Sequence, residues 1–402
     1  MINKSILKLI LDSNGWIGFD DFMFLALYDS KFGYYTKSIT DAGRSPFGKK
    51  GDFITIPMMG PWLGLSLSKT FINLKKNCPH YLSEKLRITE LGGGTGHLAA
   101  QILTDLNEKN CLPQKYEFIE INTSMIELQK QTIISILKEK SVKDINKIMK
   151  ILSWRNVCIT KKNFTSYNYG EPISGLIIAN EVVDAFPVRV FKFIPPKKKG
   201  VRPEIKECVV TFDKNTNLIW SEVSADKKLV EHVNCRYIKA KKDGVEWIET
   251  RFGEWCQLIP DWCKNVQRKI KWGEIVIIDY GMERVELDQS MRLQSTVTAF
   301  RNHTQLNDLY DCLQNPGFQD LTSQVNFTAL AENFSLNKNS EVLLKSQASW
   351  LLDLGILDEA KRLIFNDKMN EEKYRLLSSL QNTMNDTAIS ESFLVLKVSK
   401  FN

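Results

Sequence analysis

The sequence predicts a doubly wound α/β protein, a parallel sheet with helices on both faces, with an N-terminal helical segment and an inserted subdomain. Three observations carry that expectation. From about residue 85 short apolar runs alternate with helical patterns, the order that builds a parallel sheet. Glycines 92, 93, 94 and 96 fall where one such run gives way to a helix. The chain's 402 residues, 43% of them hydrophobic and 25% charged, exceed one modal domain and supply a large core.

In chain order, residues 1–31 read as helices, with apolar positions at Ile6, Leu7 and Ile10 and again at Phe22, Leu25 and Ala26. Gly33-Tyr34-Tyr35 and Gly51-Asp52-Phe53 then mark a loop. Strands are expected at Arg87 to Leu91, Tyr116 to Ile121, Asn156 to Thr160, Gly175 to Ala179 and Glu274 to Asp279, with helices from His97 and from Thr123 to about Lys138. Residues 195–271 depart from the alternation and read as the insertion, which leaves 1–84 as the helical entry and 85–194 with 272–402 as the core. The insertion opens with Pro195-Pro196-Lys197-Lys198-Lys199-Gly200, read as a solvated hairpin turn, and its tryptophans are read as core packing. No repeat period or low-complexity tract is found, which disfavours solenoids and propellers.

Lys plus Arg number 54 against 47 Asp plus Glu, a net charge of +7 that is modest for nucleic-acid binding at this length. The eight cysteines include no C-x-x-C pair and read as reduced. His80, His97, His232 and His303 are too dispersed for a His/Cys zinc site, so no metal is expected. No stretch approaches 18 apolar residues, so no membrane span is expected. Lys8 interrupts the N-terminal apolar run, and aspartates 12, 20, 21 and 29 precede the first arginine, Arg44; neither a signal peptide nor an import sequence is expected.

The chemistry-bearing motif is Glu90-Leu91-Gly92-Gly93-Gly94-Thr95-Gly96-His97. A dinucleotide fingerprint needs its third glycine at 97, where a histidine stands. A carboxylate before the first glycine opposes a nearby diphosphate and suits a cationic group such as the amino group of S-adenosylmethionine. Glu120 closes the second strand 24 residues beyond Gly96, where a carboxylate accepts from ribose hydroxyls. The fourth strand runs into Asn180, Glu181 and Asp184, carboxylates three apart that either carry catalysis or begin a helix. The Asn/Asp-Pro-Pro-aromatic tetrapeptide of base-amino methylation is absent there, which disfavours flipped-base chemistry.

Together, GYY (33–35), GDFIT-x-P (51–57), ELGxGxGxL (90–98), NEVVDAFPV (180–188), DYG (279–281), TVTAFRNH (296–303) and DLTSQVNF (320–327) resemble the MidA-type S-adenosylmethionine-dependent methyltransferases, whose mitochondrial member is a complex I assembly factor that dimethylates an arginine. The resemblance runs from about residue 15 to the strand at Phe393 to Ser399. It implies a seven-stranded class I methyltransferase (Rossmann-like) sheet and S-adenosyl-L-methionine as cofactor. In that reading Glu90, Gly92, Gly94 and Gly96 hold the methionyl end, Glu120 and Ile121 the ribose, and Asn163 and Phe164 the adenine. Asn180 joins them, and Glu181 and Asp184 act on the acceptor. Tyr34, Tyr35, Gly51, Asp52, Phe53 and Thr55 form a lid. The implied partner is a protein client carrying the acceptor arginine, a respiratory complex I subunit being one candidate, with a homodimer compatible. The implied location is a bacterial cytoplasm, or the mitochondrial matrix for a trimmed chain. Met58, Gly93 and Asn326 replace the family's usual glutamate, proline and aspartate. An RNA or small-molecule methyltransferase and a catalytically idle donor-binding assembly factor stay open as alternatives.

Overall fold

The structure, a computed structural model, describes residues 2–37, 46–48, 51–52, 55–160, 170–198, 200–306, 308–365, 369–384 and 393–401. The chain divides into two compact units, one of residues 1–37, 184–260 and 282–329, the other of 38–183, 261–281 and 330–402.

The second unit is built on a seven-strand path: β1 (Arg87–Leu91), β2 (Lys115–Glu120), β3 (Leu152–Asn156), β4 (Ile173–Asn180), β5 (Ile270–Met282), β6 (Glu341–Ser346) and β7 (Phe393–Lys400), in spatial order β6-β7-β5-β4-β1-β2-β3. β1 to β5 run parallel, and β7 lies antiparallel between β5 and β6. The central strands are near-continuous apolar runs, Leu176 to Ala179 and Ile275 to Ile278, buried on both faces of the sheet. Helices α1 (Trp62–Asn77), α2 (His97–Glu108) and α3 (Thr123–Glu139) share one core with the alternate strand residues Tyr116, Phe118, Leu176, Ile178, Val276 and Ile278, where Trp62, Phe71 and Leu103 are fully buried. Trp262 and Trp272 are buried in this unit, as core packing requires.

The strand order reverses between β1 and β4, and open α/β sheets bind ligands at the carboxyl ends beside such a reversal. The registers Leu91↔Ile119, Leu91↔Ala179 and Asn180↔Ile278 bring the ends of β1, β2, β4 and β5 level at that edge.

Expected boundaries move: the fourth and fifth strands extend to Ile173–Asn180 and Ile270–Met282, and two others shift. The third strand is Leu152–Asn156, not 156–160, because it pairs residue for residue with Tyr116 to Glu120 and Trp154 stacks on Phe118 with ring centroids 5.1 Å apart. The second strand stops at Glu120 rather than Ile121, since the Asn122 side chain accepts from Ser124 N–H and starts α3.

In the first unit an antiparallel sheet runs Ile17–Gly18, Glu204–Phe212, Arg189–Ile194, Arg251–Trp255, with Leu218–Ser224 on the other side of Glu204–Phe212. The hairpin between Arg189–Ile194 and Glu204–Phe212 carries the lysine run at its turn, where Lys197 and Lys198 are exposed. The helix Lys227–Lys242 buries Leu229, Val233, Arg236 and Ala240, spaced as one helical face, and Leu229, Val233 and Ala240 share a core with Phe191, Phe193 and Trp247. A three-stranded sheet of Thr298–Arg301, Thr304–Leu306 and Asp320–Thr322 and the two-residue strand Val325–Asn326 complete the unit's β-structure among the described residues. No helix of the described residues is long and apolar enough to cross a membrane.

Candidate functional site

The carboxyl edge of the seven-strand path gathers Glu90, the glycine loop, Glu120, Ile121, Asn180 and Glu181 in one unit. The loop from β1 to α2 turns on glycines 92, 94 and 96, whose φ values of 67°, 47° and 88° are left-handed and favour glycine. Gly92 N–H donates to Ile119 O at 3.0 Å and Gly96 N–H to Gly93 O at 2.9 Å, so the loop is tied to β2 and closed on itself.

Glu90, 2% exposed, accepts from Tyr116 O–H at 2.8 Å. Burial pushes its carboxyl up to about 8, the Tyr116 hydrogen bond opposes that, and the charge of Glu120 adds to it. Glu120, also buried, accepts from Asn122 N–H at 3.0 Å and from Gln129 Nε2 at 2.8 Å. Burial raises its carboxyl against these hydrogen bonds. Ile121 O receives the amide of Asn156 at 2.6 Å, which ties the end of β3 to the turn after β2.

At the end of β4, Asn180 Nδ2 donates to Glu181 Oε1 at 3.1 Å, and its buried Oδ1 has no partner among the described residues. Glu181 sits at φ 51°, a left-handed conformation unusual for a residue with a side chain, and its N–H donates to Ile278 O at 2.9 Å. The buried Asp279, on β5 just beyond Ile278, fixes this turn: its Oδ2 accepts from Val182 N–H at 3.1 Å and Val183 N–H at 2.9 Å. Gly51 and Asp52 are buried in the same unit, and Thr55 precedes the short helix Ile56–Met59. Gly51 is dictated by packing, because a Cβ there would lie 2.3 Å from Pro46 O.

Asp184, Tyr34 and Tyr35 belong to the first unit. There Tyr35 O–H donates to Asp320 Oδ1 at 2.8 Å, Tyr28 O–H donates to Ala185 O at 3.0 Å, and the rings of Tyr28 and Tyr35 stack at 5.9 Å. Loss of water raises the Tyr35 phenol well above its ordinary value, and the negative charges of Asp320 and Asp184 raise it further. Asp184 is buried, and its carbonyl accepts from Ser323 N–H at 3.0 Å. Asn163, Phe164 and Phe53 lie outside the described residues.

Three contributors escaped the sequence reading. Asp279 had a signal, a carboxylate closing the buried run Ile275 to Ile278, but the pattern does not say which backbone it serves. Gln129 and Asn156 carried none, since a lone amide on a helix or at a strand end is ordinary.

Such a sheet, with an acidic residue and a glycine loop at its switch point, is the arrangement of a nucleoside-binding α/β protein. The model of the family described as "Putative S-adenosyl-L-methionine-dependent methyltransferase" matches residues 66–343. The chain belongs to that family, and S-adenosyl-L-methionine is its cofactor. The protein arginine methyltransferase NDUFAF7 homolog, mitochondrial, of Caenorhabditis elegans is 26% identical over 363 residues, covering 89% of this chain and 77% of its own. The human protein arginine methyltransferase NDUFAF7, mitochondrial, is 26% identical over 403 residues, covering 95% of this chain and 80% of its own. A COG1565 superfamily protein from Burkholderia thailandensis, crystallised with S-adenosyl-homocysteine, superposes with a TM-score of 0.77 at 22% identity, covering 99% of this chain and 92% of that one, and shares the fold.

The residues present fit the cofactor. Glu90 offers a buried acceptor for an ammonium group, a Cβ at Gly94 would meet nothing within 4 Å, so space is open beside the loop, and Asn180 Oδ1 offers a free acceptor.

Proposed function

We propose that this chain transfers methyl groups from S-adenosyl-L-methionine to an arginine of a protein client. The observation that carries the acceptor class is likeness over nearly the whole chain to relatives named protein arginine methyltransferases. When bound, S-adenosyl-L-methionine supplies an electrophilic methyl group on a sulfonium. Glu90 and the loop of Gly92, Gly94 and Gly96 hold its methionyl end, and Glu120 beside Ile121 takes the ribose. Asn180 supplies a further acceptor, and Asn163 and Phe164 are assigned to the adenine.

An arginine acceptor poses a specific difficulty. The guanidinium stays protonated, with a pKa above about 12, so its nitrogens are poor nucleophiles. Glu181 and Asp184 are the carboxylates assigned to it. Paired hydrogen bonds from the guanidinium draw positive charge toward the nitrogens they engage and leave the remaining one better able to attack. The left-handed backbone at Glu181, held by Asp279, supports this reading, because strain kept in place by buried hydrogen bonds is a frequent mark of a working residue. Gly51, Asp52 and Thr55, which belong to the same unit as Glu90 and Glu120, are assigned to covering the site. A respiratory complex I subunit is the client the sequence resemblance points to, and the reaction takes place where that client is assembled.

The test is to incubate the purified chain with methyl-labelled S-adenosyl-L-methionine and extract from cells lacking its gene. Label in one protein band, released as methylarginine on hydrolysis, is the expected result. Label removed by RNase, or no label despite measured donor binding, overturns the reading.

A further inference from the structure

Gln129, in the second turn of α3, is fully buried, and every polar atom of its side chain is engaged. Its Oε1 accepts from Trp154 Nε1 at 2.8 Å, and an indole N–H only donates, which fixes the orientation of the amide. Its Nε2 therefore faces two acceptors, Gly94 O at 2.9 Å and Glu120 Oε2 at 2.8 Å. One amide thus spans the glycine loop, the end of β2 and the tryptophan of β3. The loop is packed closely on it: a Cβ at Gly93 would lie 3.0 Å from Gln129 Nε2, and one at Gly96 would lie 3.0 Å from the Gln129 backbone.

We propose that Gln129 is a positioning residue for the donor site, which aims the Glu120 carboxylate at the ribose and holds the Gly94 carbonyl in register with it. The proposal rests on the reading of Glu120 as the ribose acceptor. A carboxylate side chain ordinarily turns about its terminal bond. Here the Asn122 N–H fixes one oxygen and the Gln129 amide the other, so the remaining lone pairs keep one direction. Replacing the amide by a hydrocarbon leaves Glu120 Oε2 and Gly94 O each short of a donor. The carboxylate then rotates toward whatever donor it finds, and recognition of the ribose hydroxyls is lost.

The test is calorimetric binding of S-adenosyl-homocysteine and of its 3′-deoxyribose analogue to the wild-type chain and to Gln129→Leu, Gln129→Glu and Glu120→Ala, with a thermal melt of each. The wild-type chain is expected to prefer the natural ribose by about tenfold or more, as one hydrogen bond at a dry site gives. Glu120→Ala should abolish that preference. Gln129→Leu should reduce it to under about threefold. Gln129→Glu, which keeps the side-chain volume and an acceptor for Trp154 but replaces the donor facing Glu120, should do the same even where Gln129→Leu melts too low to be assayed. If the Gln129 variants weaken both ligands in equal proportion while Glu120→Ala loses the preference, the amide is merely structural and the proposal falls. If Glu120→Ala keeps the wild-type preference, the ribose reading falls and the proposal with it.

Discussion

Asp279 Oδ2 accepts the backbone N–H of Val183 at 2.9 Å, so a carboxylate on one central strand fixes the turn that follows its neighbour. The same oxygen takes Val182 N–H at 3.1 Å, and immediately before these two residues Glu181 adopts φ 51°. Strand register makes this possible: β4 and β5 run parallel with Asn180 opposite Ile278, which sets Asp279 beside the turn.

Asp279→Ala leaves two buried N–H groups without their acceptor, each costing about 1–3 kcal/mol. A loss of about 2–4 kcal/mol in urea denaturation is expected. Asp279→Asn keeps a carbonyl oxygen in place and should recover part of it. Equal stability of Asp279→Ala and the wild type would contradict the role.

Glu181→Gly should separate stability from activity. Glycine adopts the left-handed conformation without steric cost, so the variant gains up to about 1 kcal/mol while methyl transfer is lost. A variant both stabilised and fully active would show that the side chain does no chemistry.

Much of this site was legible as residue type and place. Glu90, the glycines and Glu120 stand where strands end, and a carboxylate or glycine run at a strand end is a local pattern. The turn at 180–184 was equally visible, yet a working turn and a helix start share the same letters. What decides between them, the bonds from Asp279, depends on strands nearly 100 positions apart. The pairing Ile17↔Val210 was invisible for the same reason, and it places the N-terminal helices with the insertion in one unit. The third strand lies a few residues before the position its letters suggest, because Val157-Cys158-Ile159 is as apolar as Leu152 to Trp154 and only pairing with β2 separates them.

Glu90 makes stability depend on pH. Its carboxyl titrates near 8 in the folded chain against 4.5 for an ordinary glutamate. Between these values the folded chain holds a proton that the unfolded chain has released, so stability falls as pH rises through the window and levels off above it. Glu90→Gln should remove that part of the slope and melt higher than the wild type above pH ~8. Superimposable melting profiles from pH ~5 to ~9 would refute this.

Two glycines of the loop should respond differently to alanine. At Gly94 a methyl enters open space, so the cost is the backbone strain of φ 47°, about 1 kcal/mol, and the larger loss is in donor affinity, about tenfold or more. At Gly96 a Cβ meets the Gln129 backbone at 3.0 Å in addition to the strain of φ 88°, for a loss of about 2–3 kcal/mol. Thermal melts and S-adenosyl-homocysteine titrations of both variants separate the two effects.

Tyr35→Phe removes the phenol that donates to Asp320 and should cost about 1 kcal/mol. Phenolate absorbance during an alkaline titration should show one tyrosine fewer among those ionising late, since Tyr35 titrates well above the usual range. An unchanged titration curve would mean that another tyrosine carries the delay.

The most direct measurement compares donor affinity and methylarginine yield for the wild-type chain and Glu181→Gln, with the labelled client as acceptor. Equal affinity for S-adenosyl-homocysteine and a fall in yield of ~100-fold are predicted, the size of effect that follows loss of a group acting in the transition state. Wild-type yield from Glu181→Gln would contradict the account, whatever the affinity.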